Sequence, residues 1–248
     1  MSRERAMLWL PGWGMPDSFW DKVRERFSAF QHVSPDFSGV SRPDEFAEAV
    51  EKEVGLLGAT PVIAIGWSMG GLLAQRLAAR HQVAGLVLVS TTARFVRSRE
   101  ERTCGWTDAH LRRMQRSLAE DGGKVLGAFR ESMLTDEERR RAAPMLSQRS
   151  SGEWTHAALM AGLSYLRKED CRSSAPALSC PAAIVHGTED EICPYAAGVE
   201  LASLIPGASL FPVVGGGHVP LVFRPEIVIE AVERVVESCV ETDRFKPV

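Results

Sequence analysis

Residues 65–71, IGWSMGG, join an apolar run to a helical pattern, and this joint constrains the fold more than any other part of the chain. The run PVIAIG before it predicts a buried strand, and LLAQRLAARH after it predicts a helix. A strand that passes straight into a helix needs a very tight turn, in which glycines two residues before and after Ser68 relieve backbone crowding. Ser68 at the apex is expected to have a strained backbone and to project into the open.

The position of Ser68 at the start of a helix suggests a chemical role. Unpaired backbone N–H groups and the helix dipole favour negative charge there, so the N–H of Met69 can donate to a developing oxyanion. An exposed serine beside such donors is a candidate nucleophile. The alternatives are a glycine-rich phosphate-binding turn and a plain strand-to-helix turn.

Short apolar runs alternate with helical patterns along most of the chain. Strands are predicted at residues 7–10, 32–35, 61–66, 85–90, 181–186 and 209–214, and helices at 44–57, 69–81, 194–204 and 225–240. Such alternation indicates an α/β fold with a mostly parallel sheet and helices on both faces. Between residues 95 and 175 no strand is predicted, and four short helices are predicted instead. We therefore predict a core of residues 1–94 and 176–248 with a helical lid at 95–175.

A serine hydroxyl is a poor nucleophile near neutral pH and needs a base. Among the 6 histidines, His218 is the candidate, because it follows a predicted strand and a glycine triplet in VVGGGHVPLVFRPE. Glycines let such a loop turn sharply and present a side chain near the strand ends. The alternative is an ordinary loop histidine. His186, at the end of a predicted strand, is interpreted as structural.

The base needs a carboxylate that fixes its tautomer and stabilises the imidazolium. The segment HGTEDEICP offers three acids directly after a predicted strand, and Asp190 is the candidate, with Glu189 and Glu191 as solvated neighbours. The alternative is an acidic cap for the helix that follows. The chain order is then Ser68, Asp190, His218, which is the order of a nucleophile-elbow hydrolase.

A second oxyanion donor is expected in the loop after the first strand. The sequence LWLPGWGMPDSFW supplies Gly12, Trp13 and Gly14 at that place, and the backbone N–H of Trp13 is the candidate. With the N–H of Met69 it would form an oxyanion hole. Loss of one such donor typically costs about 2.7–4 kcal/mol in the transition state.

Composition excludes several other classes. A net charge of −3 in 248 residues gives no general attraction for nucleic acid, and no run of 18 apolar residues suggests a membrane span. The first apolar run is too short for a secretory signal, so a cytoplasmic location is expected. The 5 cysteines form no CxxC pair, so no metal site is predicted. The chemistry above needs no metal and no organic cofactor.

Together these segments make the chain resemble the α/β-hydrolase superfamily over nearly its full length. The resemblance rests on the order of the loop glycines, GWSMGG, HGTEDEICP and GGGHVP. Within the superfamily the chain is most similar to pimeloyl-acyl-carrier-protein methyl ester esterases of biotin synthesis, through PGWGMPDSFW, Trp67 before the serine, and arginines in the lid. Pro11 stands where this superfamily usually has a histidine. The leading antiparallel strands of the fold are expected to be trimmed, because few residues precede Met7.

The resemblance implies cleavage of a methyl ester from a pimeloyl chain carried on acyl-carrier protein. Because that carrier is acidic, the net charge of +3 in residues 95–175, on a remainder of −6, could steer it to the lid. The candidate carrier-binding residues are arginines on the predicted lid helices, namely Arg112, Arg113, Arg116, Arg139, Arg140 and Arg141. The alternative is a solvated helix face with i,i+4 pairs such as Asp136–Arg140.

The predicted reaction is attack of Ser68 on an ester carbonyl, with His218 as base. Trp13 and Trp67 are expected to bind the acyl chain, and Trp106 and Trp154 could either line the same pocket or only pack. Three alternatives stay open: a lyase of menaquinone synthesis with the same three residues, a general short-chain carboxylesterase, and a binding protein that has lost catalysis.

Overall fold

A computed structural model describes residues 5–142 and 154–244, and its main feature is a single sheet of 6 parallel strands. The strands are β1 (Ala6–Leu10), β2 (Gln31–Val33), β3 (Val62–Trp67), β4 (Gly85–Val89), β7 (Ala182–Gly187) and β8 (Ser209–Val213), in the order β2-β1-β3-β4-β7-β8. Their bounds lie within a residue or two of the predicted ones. Because every pair is parallel, all carboxyl ends reach the same edge of the sheet.

The central strands are covered on both faces. Every residue of β1, β3, β4 and β7 is buried. Since neighbouring side chains of a strand point to opposite faces, continuous burial requires layers on both sides of the sheet. The predicted α/β class is therefore confirmed. Within the part of the chain that the structure describes, no strand precedes β1.

Helices provide these covering layers. They are α1 (Asp21–Arg24), α2 (Pro43–Leu56), α3 (Met69–Arg80), α8 (Tyr195–Leu204), α9 (Pro220–Phe223) and α10 (Pro225–Arg244). Helix α10 packs on β4 and β7, and α3 packs on β1, β3 and β4. The one-turn helices α1 and α9 were not predicted, because four residues are too few to show a helical period. None of the helices in residues 5–142 and 154–244 has the length and apolarity to cross a bilayer.

Residues 95–175, which we call the inserted segment, lie between β4 and β7. They contain the helices α4 (Asp108–Glu120), α5 (Gly122–Ser132), α6 (Asp136–Ala142) and α7 (His156–Lys168). The C-terminal part of the third predicted helix, residues 143–149, lies outside the described residues.

The expectation that the inserted segment contains no strand is wrong in one small respect. Two two-residue strands, β5 (Val96–Arg97) and β6 (Trp106–Thr107), pair in parallel. The pairing depends on Gly105, because a Cβ there would lie 2.3 Å from the carbonyl oxygen of Phe95. Strands of two residues carry no alternation that a sequence pattern could show.

Candidate active site

Ser68 occupies the turn between β3 and α3 in a strained backbone conformation. Its φ of 54° and ψ of −117° lie in a region that costs a non-glycine residue about 1–3 kcal/mol. Three hydrogen bonds hold it there: its N–H donates to the Val89 carbonyl at 2.9 Å, and its carbonyl accepts from Thr91 Oγ1 at 2.7 Å and from the Gly71 N–H at 2.9 Å. At roughly 0.5–1.5 kcal/mol each, these bonds offset the strain.

The glycines around Ser68 are required by close contacts. A Cβ on Gly66 would lie 2.3 Å from the carbonyl oxygen of Gly70, and a Cβ on Gly70 would lie 2.2 Å from the carbonyl oxygen of Leu10. The first contact closes the turn, as the sequence predicts. The second packs the start of α3 against the end of β1, which the sequence could not reveal.

Ser68 does not project into the open as expected, since the residue is only 8% exposed. The loops beside it are covered by the inserted segment. The indole Nε1 of Trp13 donates to the Leu159 carbonyl at 2.8 Å, and the N–H of His218 donates to the Met133 carbonyl at 2.8 Å. The loops of Trp13 and His218 are therefore both bound to the inserted segment.

His218 and Asp190 form a buried hydrogen-bonded pair. His218 Nδ1 donates to Asp190 Oδ2 at 2.8 Å, with the two residues 1% and 5% exposed. The other carboxylate oxygen, Oδ1, accepts the N–H groups of Ile192 and Cys193, each at 2.9 Å. Asp190 thus faces His218 with one oxygen and holds the turn before α8 with the other, and it does not cap α8 itself, whose first turn has no side-chain cap.

The second ring nitrogen of His218 points to a function. Nε2 is buried and has no hydrogen-bond partner among residues 5–142 and 154–244. Buried polar atoms without partners are rare in folded proteins, because each carries a desolvation cost. Trp67, the neighbour of Ser68 in the chain, donates its Nε1 to the His218 carbonyl at 2.8 Å, and their ring centroids lie 5.8 Å apart. The fold therefore places His218 against Trp67, the residue before Ser68.

His186 lies in the core, as its interpretation as a structural residue requires. It is fully buried, and its Nε2 donates to the Cys193 carbonyl at 2.7 Å. Burial lowers its pKa, and the nearby charge of Asp190 opposes this shift only in part. His186 is therefore neutral at pH 7 and holds the loop that carries Asp190.

The predicted oxyanion donors lie at the expected ends of β1 and β3. Met69 is the first residue of α3, so its N–H has no acceptor inside the helix. Trp13 lies in a turn in which the Gly12 carbonyl accepts the Met15 N–H at 3.2 Å. The assignment of both N–H groups to an oxyanion hole stays a prediction.

The indole rings of Trp13 and Trp67 are both packed in the interior. Trp13 meets Phe129 edge-on at 5.1 Å, and Trp67 stacks on Phe19 at 5.4 Å. A Cβ on Gly12 would lie 3.2 Å from the Trp67 ring, which shows how closely that ring is enclosed. A role for Trp13 and Trp67 in acyl binding stays a prediction.

The tryptophans of the inserted segment pack on other aromatic rings. Trp154 is buried and stacks on Phe46 of α2 at 5.3 Å. Trp106 stacks on His110 at 4.1 Å and lies 5.1 Å from Phe95. These contacts favour the packing alternative for both residues.

The six candidate carrier-binding arginines fall into two groups. Three form ion pairs within their own helix: Arg112 with Asp108 at 2.7 Å, Arg139 with Asp136, and Arg141 with Glu137 at 4.0 Å. The pairs of Arg112 and Arg141 have the i,i+4 spacing of the alternative interpretation. Its example, Asp136–Arg140, is wrong, because Asp136 pairs with Arg139 at i+3. Arg113, Arg116 and Arg140 are exposed and have no ion pair within the described part of the chain.

The charges around the arginines of α6 differ from those around the arginines of α4. A surface cavity of about 630 Å³ lies beside the arginines of α6. It is lined by Arg139 and Arg140 and by five carboxylates, Asp136, Glu137, Glu189, Asp190 and Glu191. An acidic partner would be repelled from this surface. Arg113 and Arg116, three residues apart on α4, share a helix face and are the better candidates for such a partner. No cluster of three potential metal ligands occurs in residues 5–142 and 154–244.

Sequence reasoning missed a contact between the inserted segment and the loop of His218. Glu138 of α6 accepts the N–H of Gly217 at 3.1 Å, next to the bond between His218 and Met133. The pattern Thr135–Glu138 is visible in the sequence as a helix-capping motif. Nothing in it reveals a second partner 79 residues away.

Comparison with curated proteins places this geometry in a family context. The chain is 31% identical to the pimeloyl-[acyl-carrier protein] methyl ester esterase of Xanthomonas oryzae pv. oryzae (strain MAFF 311018), an alignment that covers 94% of this chain and 95% of that protein. It is 29% identical to the esterase of the same name from Chromobacterium violaceum, with 94% of each chain covered.

Solved structures share the fold at lower identity. A thermophilic esterase from Thermogutta terrifontis superposes with a TM-score of 0.77 at 22% identity, over 95% of this chain and 90% of that one. The enol-lactonase from Burkholderia xenovorans LB400 superposes with a TM-score of 0.78 at 19% identity, over 94% and 92%. The model of the alpha/beta hydrolase family matches residues 7–231. The chain belongs to the alpha/beta hydrolase family.

Proposed function

We propose that this enzyme, a carboxylic ester hydrolase, cleaves the methyl ester of a pimeloyl chain carried on acyl-carrier protein, as the names of its curated relatives state for those proteins. The observation that carries the proposal is the pair of Asp190 and His218, which Trp67 joins to the strained turn of Ser68, with Nε2 of His218 buried and unpartnered within the described residues. This is the arrangement that acyl transfer through a serine needs.

In the proposed mechanism, Ser68 Oγ attacks the ester carbonyl while His218 Nε2 takes up its proton. Asp190 keeps the other ring nitrogen protonated, so that Nε2 carries the lone pair. The N–H groups of Trp13 and Met69 stabilise the oxyanion. His218 then gives the proton to the departing methanol, and water releases the acid from Ser68 by the same steps in reverse.

The inserted segment would serve as the lid of this site. Its helices α5 and α7 contact the indole of Trp13, and the turn before α6 contacts the loop of His218. Trp13 follows β1 and His218 follows β8, so both contacts lie at the carboxyl edge of the sheet, to which Ser68 also belongs. Opening of these contacts would admit the acyl chain, and closure would hold it against Ser68.

A panel of methyl esters tests the proposed substrate. Dicarboxylic acid monomethyl esters of graded length are offered free and bound to acyl-carrier protein, and methanol release is measured. We expect kcat/KM to be highest for the carrier-bound pimeloyl ester and to fall about 10-fold for each methylene removed, because each methylene contributes binding to an apolar pocket.

The alternatives give different results in the same panel. Equal turnover of short nitrophenyl esters and the carrier-bound ester would identify a general short-chain carboxylesterase. A lyase that begins an elimination would release no methanol and form no acyl-enzyme on Ser68. Either result would contradict the proposed substrate.

The exposed arginines of α4 are expected to attract the acidic carrier. Changing Arg113→Glu together with Arg116→Glu should raise KM for the carrier-bound ester about 10-fold at low ionic strength, since these charges steer encounter with an acidic partner. The effect should shrink in high salt. Initial rates with the free and the carrier-bound ester at several salt concentrations measure it.

A matched charge change on the core is the control for this effect. Lys22 on α1 and Lys52 on α2 are exposed, and their double change to glutamate alters net charge by the same amount. We expect this variant to keep the KM of the native enzyme. If both double variants weaken carrier-bound turnover equally, the α4 surface is not the docking site.

A further inference from the structure

Glu138 is a buried carboxylate of the inserted segment that bonds to two separate parts of the chain. Its Oε2 accepts the N–H of Thr135 at 3.0 Å, and its own N–H donates to Thr135 Oγ1 at 3.2 Å. This reciprocal pair caps the start of α6. The remaining oxygen, Oε1, accepts the N–H of Gly217 at 3.1 Å. The cap uses one carboxylate oxygen, and the other binds the loop that carries His218.

The neighbouring peptide groups strengthen this connection. The N–H of His218 donates to the Met133 carbonyl at 2.8 Å, so two consecutive N–H groups of the loop bind the turn after α5 and the first turn of α6. The fit at Gly217 is tight, since a Cβ there would lie 2.6 Å from Glu138 Oε2 and 2.6 Å from the Met133 carbonyl oxygen. On the other side, Trp67 Nε1 binds the His218 carbonyl at 2.8 Å. The backbone of His218 is therefore held between the core and the inserted segment.

The burial of Glu138 needs a reason beyond helix capping. The residue is 5% exposed, and burying an ionised carboxylate is costly unless it is fully hydrogen-bonded. A capping box works as well with a glutamate that faces solvent. The bond to Gly217 accounts for the buried position, because it is the contact that an exposed glutamate at this site could not make.

We propose that Glu138 is a positioning residue for the base. It fixes the peptide before His218 and keeps the imidazole aligned with Ser68 while the inserted segment packs against the loop of His218. The inference rests on the proposed function, because it requires His218 to act on Ser68. Movement of the turn after α5 together with the start of α6 would break the bonds to His218 and Gly217 at once. Closure of the segment and alignment of the base are thus one event.

The variant Glu138→Ala tests this proposal. We expect kcat for a methyl ester, and the rate of Ser68 phosphonylation by a fluorophosphonate, to fall about 10- to 100-fold, because a misplacement of about 1 Å has effects of this size. KM should change less than about twofold, since the substitution Glu138→Ala removes no contact with the substrate. Glu138→Gln, which keeps the length and one acceptor oxygen, should recover much of the loss. All rates are taken at a temperature at which circular dichroism shows each variant to be folded.

Thr135→Ala separates positioning from helix stability. It removes the hydroxyl that accepts the Glu138 N–H and leaves the bond between Glu138 and Gly217 in place. The variant should therefore have a lower melting temperature but the native kcat. Equal losses of kcat in Thr135→Ala and Glu138→Ala would overturn the proposal. So would a folded Glu138→Ala that is phosphonylated at the native rate.

Phosphonylation of Ser68 in the native protein shows whether a negative result contradicts this inference or the proposed function. If Ser68 of the native protein is not phosphonylated, the serine mechanism itself is wrong, whatever Glu138 does. If Ser68 is labelled and Glu138→Ala is labelled equally fast, only the positioning role is wrong. Glu137→Gln, an exposed neighbour on the same helix, should behave as the native protein in both assays.

Discussion

Changing Ser68 to alanine is expected to lower ester turnover by about 10⁴- to 10⁶-fold, the loss typical of removing the nucleophile from a serine mechanism. The three hydrogen bonds that hold Ser68 are made by its backbone, so the variant keeps them. Its free energy of unfolding should therefore stay within about 1 kcal/mol of the native value. Methanol release and thermal unfolding measure the two quantities, and mass spectrometry after fluorophosphonate treatment should find the adduct on Ser68 only in the native protein.

Ser90 provides the matched control for this variant. It directly follows β4, is fully buried, and is the other non-glycine residue with positive φ in the described part of the chain, at 44°. Its Oγ has no hydrogen-bond partner within residues 5–142 and 154–244, so Ser90→Ala removes an unsatisfied hydroxyl and should not destabilise the fold. We expect native turnover from Ser90→Ala. A Ser68→Ala variant that still releases methanol at a tenth of the native rate would exclude the serine mechanism.

Changing Asp190 to asparagine is expected to lower kcat about 10⁴-fold with little change in the structure around it. The amide oxygen of asparagine can still accept the N–H groups of Ile192 and Cys193, as Asp190 Oδ1 does. The amide nitrogen then faces Nδ1 of His218 and donates to it. The imidazole must carry its proton on Nε2, which leaves no lone pair to take the serine proton.

Glu189 and Glu191 are exposed neighbours in the same loop and give controls of identical chemistry. Glu189→Gln and Glu191→Gln should keep native kcat, because neither side chain belongs to the buried pair. The fluorophosphonate rate should fall in Asp190→Asn in parallel with kcat. Retention of more than about a tenth of native kcat by Asp190→Asn would mean that the carboxylate serves only to cap the turn before α8.

Local patterns in the sequence were enough to predict the strands of the sheet and the edge at which the candidate residues lie. The tight turn at Ser68, the glycines before His218 and the acid after β7 are all short-range features that sit at predicted strand ends. Because parallel strands share one carboxyl edge, their loops must meet there whatever the details of packing. This is why the pair of Asp190 and His218, 28 residues apart, could be expected from the sequence.

Features that depend on packing between distant segments were not predicted correctly from the sequence. The sequence suggested an open Ser68, but the loops of Trp13 and His218 lie beneath the inserted segment. It suggested the pair Asp136–Arg140, but side-chain rotation on α6 joins Asp136 to Arg139. The first case depends on how the inserted segment packs on the core, and the second on the direction of a side chain. The spacing of residues in the sequence encodes neither.

By itself the sequence determined the α/β architecture, the positions of the strands along the chain and the three side chains proposed for the reaction, because hydrophobic period and turn chemistry act over a few residues. The tertiary structure alone decided which oxygen of Asp190 faces His218, how deeply Ser68 is covered, and that Glu138 binds the peptide before the base. These depend on contacts between residues far apart in the chain, where small differences in packing select one hydrogen-bond partner over another.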